Sequence, residues 1–133
     1  MIAGAKSGRG RILVVDDEPA ILTATCAYLR GVGHEVDGAS EREEAEALLA
    51  FDIYSVAILD MHMTGAHGRE GLELLRFLRE QCPRARAVVV TAHGSPELEA
   101  ETRRYGACAF LQKPVALAEI ARVAQSLLPG AAG

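Results

Sequence analysis

Short aliphatic runs alternate along this chain with stretches of helical period, and the pair recurs five times. The runs Ile12-Leu13-Val14-Val15, Val56-Ala57-Ile58-Leu59 and Ala87-Val88-Val89-Val90 show no polar alternation. That pattern predicts parallel strands covered on both faces. Strands are expected at Arg11 to Val15, Glu35 to Ala39, Ser55 to Asp60, Ala87 to Thr91 and Ala107 to Leu111. The first helix is expected from about Pro19 to Arg30, stopping at Gly31, with Ile21, Leu22, Thr25 and Leu29 on one face. The second opens on a capping box in which Ser40 caps and Glu43 answers, with Ala45, Leu48 and Leu49 as its apolar stripe. Its acidic start, Glu41, Glu43, Glu44 and Glu46, is read as carboxylates favoured by the helix dipole. A third helix covers about Glu70 to Glu80, and a fourth starts at Ser95-Pro96 and ends near Gly106. The fifth follows Lys113-Pro114 and ends before Pro129.

Five strand-helix units joined by right-handed crossovers make an α/β three-layer sandwich, a (βα)5 parallel sheet with helices on both faces. Periodicity does not set the strand order. With 133 residues, half of them hydrophobic, the chain is one compact domain. The expected division is a tail at 1–10, the domain at 11–129 and a tail or linker stub at 130–133. A net charge of -4 with scattered arginines argues against direct nucleic-acid binding. No apolar stretch has the length of a membrane helix and the start lacks a signal-peptide core, so a cytoplasmic location is expected. Cys26, Cys82 and Cys108 show no metal-ligand spacing and are read as reduced packing residues.

Chemistry enters where the strands end. The first run stops at Asp16-Asp17 and the third at Asp60, and ligands of open α/β sheets bind outside the carboxyl ends of the strands. In the flavodoxin-like order 2-1-3-4-5, strands one and three are neighbours and the three acids meet. Their repulsion would be relieved by a divalent cation, and an all-oxygen site suits Mg²⁺. The fourth strand ends at Thr91, a hydroxyl able to donate to a phosphoryl oxygen. The fifth ends near Lys113, an ammonium able to reach a phosphate.

Acid, acid, hydroxyl and ammonium on four strand ends resemble the receiver domain of two-component response regulators, over nearly everything from Arg11 to Leu128. The resemblance implies the (βα)5 flavodoxin-like fold of order 2-1-3-4-5. It makes Asp60 the phosphoacceptor, Asp17 a Mg²⁺ ligand, Asp16 an acid acting through metal-bound water, and His62 a ligand through its backbone carbonyl. Thr91 matches the switch hydroxyl, Lys113 the phosphate-pairing lysine and Phe110 the aromatic switch position. A cis Lys113-Pro114 bond is implied as well. The chain would then be a signalling switch that catalyses only its own phosphorylation and dephosphorylation. Its donor would be a sensor histidine kinase or a histidine phosphotransfer protein, docked around Ala20 to Ala24 and the Pro114 loop. Downstream it would act on a protein or effector domain, as a monomer or weak dimer.

The sequence departs from the family pattern after Asp60. Thr64 follows Met63 where the family has proline, and the glycine opening the third helix is Gly68 by distance or Gly71 by its match to Leu72-Glu73-Leu74-Leu75. About three extra residues therefore fall in this loop. His62 and His93 occupy positions that in the family flank the phosphoryl group and influence its lifetime, with His67 nearby. Two other classes of function fit the pattern less well. A receiver-like module that never carries phosphate would be free to lose Asp60 or Lys113, and both stand. A Mg²⁺-dependent phosphohydrolase resembles a DxD motif, whereas the first-strand acids here are adjacent and no cap domain is present.

Overall fold

The computed structural model describes residues 10–61 and 70–130. The expected tails, apart from Gly10 and Gly130, and the loop with His62, His67 and Gly68 lie outside the described residues.

Five strands form one parallel sheet in the order β2-β1-β3-β4-β5. They are β1 (Arg11–Val15), β2 (Glu35–Ala39), β3 (Val56–Asp60), β4 (Arg86–Thr91) and β5 (Ala107–Gln112). Between and after them run α1 (Pro19–Gly31), α2 (Arg42–Phe51), α3 (Glu70–Gln81), α4 (Pro96–Arg104) and α5 (Leu117–Leu127). The order expected from the family resemblance is the one observed.

The missing alternation in the aliphatic runs has its cause in two separate cores. Leu13, Val15, Ala57, Leu59 and Val89 project to one face of the sheet, where Ala45, Leu49, Leu74, Leu75 and Leu78 of α2 and α3 cover them. Ile12, Val14, Val56, Ile58, Val88 and Val90 project to the other, against Cys26 and Leu29 of α1 and Ile120, Ala121 and Ala124 of α5. Successive strand residues point to opposite faces, so a strand buried on both must be apolar at every position.

Four local expectations are corrected. Ile21 is exposed, and the buried residues of α1 are Thr25, Cys26 and Leu29; Ile21 lies in the first turn of the helix, at the margin of that stripe. The helix α2 begins at Arg42 rather than after Ser40, and Glu44, not Glu43, accepts from the Ser40 backbone N–H at 2.9 Å. With Glu41 in the capping position, Glu44 is the third helical residue, the one whose carboxylate can reach back. Cys108 is exposed rather than packed. Ala107 pairs with Ala87 and Ala109 with Val88, so Cys108 is the extra residue of a bulge and faces outward. By contrast Ser95 caps α4 as expected, accepting from Leu98 N–H at 3.0 Å.

One polar cluster anchors the edge strand. The Tyr54 hydroxyl donates to Asp37 Oδ2 at 2.6 Å, and Arg11 Nη1 donates to the same oxygen at 3.0 Å. Tyr54 is 3% exposed. Burial, then the hydrogen bond to Asp37 and its charge, push the Tyr54 pKa well above the ordinary tyrosine value. A pKa raised on folding contributes stability that is complete below the unfolded value, about 10, and is lost as pH rises through the folded value. Tyr54→Phe is therefore expected to cost about 1–2 kcal/mol near neutrality. Its penalty should shrink above about pH 10, where the wild type surrenders the advantage. Urea denaturation of both proteins across that range checks this, and a penalty independent of pH would show that the hydroxyl contributes only packing.

Candidate functional site

The acids meet because their strands are adjacent. Register pairs Val15 with Leu59, so Asp16 and Asp60 stand one residue further along neighbouring strands. Asp16 N–H donates to Ala39 carbonyl O at 3.1 Å and Met61 N–H to Val90 carbonyl O at 3.0 Å, which carries the ladder through the acidic residues. One carboxylate oxygen each of Asp16, Asp17 and Asp60 lies within 4.8 Å of the others. Asp16 and Asp60 are each 5% exposed and Asp17 is half-buried.

Lys113 reaches this cluster from β5. Its backbone N–H donates to Thr91 carbonyl O at 2.8 Å, which fixes where the side chain begins. The Lys113-Pro114 bond is cis. From there Nζ lies 3.3 Å from Asp16 Oδ2 and 3.6 Å from Asp60 Oδ2. Burial disfavours the ammonium charge, but Asp60 and then Asp16 outweigh it and hold the Lys113 pKa above the ordinary lysine value. Three carboxylates against this one ammonium leave an excess of negative charge on an all-oxygen donor set. Such a set fits a hard divalent cation.

The three acids are not equivalent. Asp16 Oδ1 accepts from the Glu18 backbone N–H at 3.0 Å, the local turn typical of aspartate, and Oδ2 accepts from Lys113. Both of its oxygens are thus engaged. Thr91 is fully buried at the end of β4, and its Oγ1 accepts from the His93 backbone N–H at 3.2 Å. Phe110 is partly buried against the core on the α2–α3 face. His93 is exposed in the turn after β4, and His62 lies outside the described residues.

Two glycines show features that pattern reading left open or missed. Gly71, the second residue of α3, is buried against Met61: a Cβ there would stand 2.7 Å from Met61 Cα and 3.0 Å from its carbonyl O. The helix thus packs directly on the backbone beside Asp60. Gly94 lies under the Phe110 ring, a contact for which the sequence carries no signal beyond the presence of a glycine.

Comparison with known proteins agrees with this arrangement. Residues 12–125 match the sequence model of the response regulator receiver domain. The chain is 38% identical over 106 residues to the alginate biosynthesis transcriptional regulatory protein AlgB of Pseudomonas aeruginosa, covering 80% of this chain and 23% of AlgB. It therefore spans about a quarter of that relative's length. A CheY-like receiver domain protein from Methanospirillum hungatei superposes with a TM-score of 0.79 at 31% identity, covering 86% of this chain and 89% of the other. A response regulator from Burkholderia pseudomallei, solved with a phosphorylated aspartic acid, a calcium ion and citrate, gives 0.80 at 26% identity, covering 88% of this chain and 67% of that one.

Proposed function

This chain belongs to the response regulator receiver domain family, and from that premise we propose that Asp60 is its phosphoacceptor and that Lys113 and Thr91 receive the phosphoryl oxygens. Receiver domains take phosphoryl groups from histidine kinases, and in this reading the chain acts as a signalling switch. The observation that carries the assignment is the meeting of three carboxylates within 4.8 Å, with Lys113 Nζ 3.6 Å from Asp60.

A carboxylate oxygen of Asp60 attacks phosphorus in a phosphohistidine or a small acyl phosphate such as acetyl phosphate. The new P–O bond forms as the P–N or P–O bond to the donor breaks; a histidine donor leaves as neutral imidazole carrying one ring proton, and acetyl phosphate releases acetate as the anion. Lys113 offers its charge to the oxygens of the transferring group, and Thr91 can donate its hydroxyl proton to one of them. Asp17, Asp60, the backbone carbonyl of His62 and, through water, Asp16 would hold Mg²⁺, which when bound supplies positive charge against the phosphoryl oxygens. The role of Asp16 is supported by its oxygens, already engaged with Glu18 N–H and Lys113. The Burkholderia neighbour, solved with both a phosphorylated aspartic acid and a calcium ion, supports pairing the phosphoacceptor with a divalent cation. His62 and His93 are assigned to modulation of phosphoryl lifetime.

Phosphorylation would draw Thr91 toward Asp60 and release Phe110 to move, altering the surface of α4 and β5. The donor docks at the mouth of the site along α1. Ile21 and Tyr28 stand exposed seven residues apart on that helix, which supports an apolar partner surface there. The output is a protein contact in the cytoplasm, made by a monomer or weak dimer without direct nucleic-acid binding. Among the described residues no helix is long and apolar enough to cross a membrane.

The test is incubation with acetyl phosphate, read by phosphate-affinity gel and mass analysis. An adduct on Asp60 is expected with Mg²⁺, at a rate at least about tenfold above that with a chelator. Equal rates with and without the chelator would exclude the metal assignment, and no adduct under either condition would exclude phosphorylation by small donors.

A further inference from the structure

The turn after β4 carries Gly94, and its backbone does not account for a glycine there. The described glycines with positive φ are Gly10, Gly33, Gly106 and Gly130, so Gly94 adopts a conformation open to any residue. What a side chain would meet is the Phe110 ring: a Cβ at position 94 would lie 3.1 Å from Cε1 and 3.3 Å from Cζ, with Gln112 Oε1 at 2.9 Å. The Gln112 amide can swing aside because it ends an exposed side chain. The ring has less freedom, being packed against the core on its other side.

We propose that Gly94 is a positioning residue for the switch: its bare Cα is one of the two resting places of the Phe110 ring, and a side chain at position 94 confines the ring to the other. This rests on reading Phe110 as the moving aromatic. Three residues link the elements concerned. Thr91, at the site, accepts from the His93 N–H, and Gly94 follows next in the chain. Movement of Thr91 toward Asp60 thus pulls on the turn that forms the ring's seat. Each added carbon at position 94 takes space from the ring, so the effect is graded from Ala to Val.

The experiment uses the full chain with fluorophenylalanine in place of its three phenylalanines, the position-110 signal being assigned by its loss in Phe110→Leu. Fluorine spectra are recorded before and after phosphorylation by acetyl phosphate, with the adduct on Asp60 quantified in the same samples. In the wild type the position-110 signal is expected to move on phosphorylation. In Gly94→Val it should start displaced and its movement should fall at least fivefold while Asp60 still becomes phosphorylated, with Gly94→Ala intermediate. The Phe51 signal, from a ring 86% exposed and remote from β5, should not change. Unaltered movement in both variants beside a moving wild-type signal overturns the role of Gly94 alone. A wild-type signal that stays still on phosphorylation overturns the switch reading of Phe110. Should Gly94→Val not fold, the Ala variant carries the same comparison with a smaller displacement.

Discussion

Asp60→Asn is expected to abolish the acyl phosphate, lowering its formation from acetyl phosphate by more than about 10³-fold, the scale seen when a nucleophile is removed. The amide is nearly the same shape as the carboxylate, so a side chain only 5% exposed is exchanged without reshaping its surroundings. What changes is charge and nucleophilicity. One of three clustered carboxylates becomes neutral, and Lys113 keeps its 3.3 Å contact to Asp16 Oδ2. Relief of repulsion should make the metal-free variant more stable than the wild type by about 1 kcal/mol, a rise of a few degrees in Tm. Excess Mg²⁺ should erase that advantage, since the wild type offers a cation one more charge and gains more by binding it. The two readouts are independent. An adduct formed by Asp60→Asn at the wild-type rate would move the phosphoacceptor elsewhere, and lower stability without metal would mean that Asp60 is held by more than its repulsive neighbours.

Much of this site was legible before any coordinates because strand ends are readable. An aliphatic run that stops at an acid marks both a buried strand and the place where its chain meets solvent, and Asp16, Asp17, Asp60 and Thr91 were all found that way. Lys113 was placed by the same logic, although its contact with two carboxylates depends on where β5 ends relative to β4, which only the ladder fixes. Strand order was not legible from periodicity, because β1, β3 and β4 are all apolar on both faces and no pattern says which neighbours which; the family resemblance supplied it. Ile21 and Cys108 were misplaced for local reasons: the α1 stripe is narrower than the apolar residues available to it, and the bulge in β5 breaks the alternation. The contacts of Gly71 with Met61 and of Gly94 with Phe110 were out of reach because a glycine reports nothing about what lies above it.

Lys113→Met should move phosphorylation and metal binding in opposite directions. Methionine keeps most of the length and apolar stem of the lysine and removes the charge that Asp60 and Asp16 hold. Without the ammonium the phosphoryl oxygens lose one preorganised partner, and acetyl phosphate reactivity should fall about 10²–10³-fold, as when one donor to a developing negative charge is deleted. The same deletion leaves the three carboxylates with no ammonium among them, so Mg²⁺ should bind several-fold more tightly in the unphosphorylated variant. Stability follows from linkage: the Lys113 pKa is raised on folding, so its contribution is complete below about pH 10 and is lost as pH rises through the folded value. Metal-free Lys113→Met should accordingly be less stable than the wild type at neutral pH, with the difference narrowing in alkali. Isothermal titration with Mg²⁺, adduct kinetics and denaturation at two pH values separate these effects. If metal affinity and reactivity fell together, Lys113 would be arranging the carboxylates rather than meeting the phosphate, because only an ammonium that competes with the cation for Asp16 and Asp60 weakens metal binding while it speeds transfer.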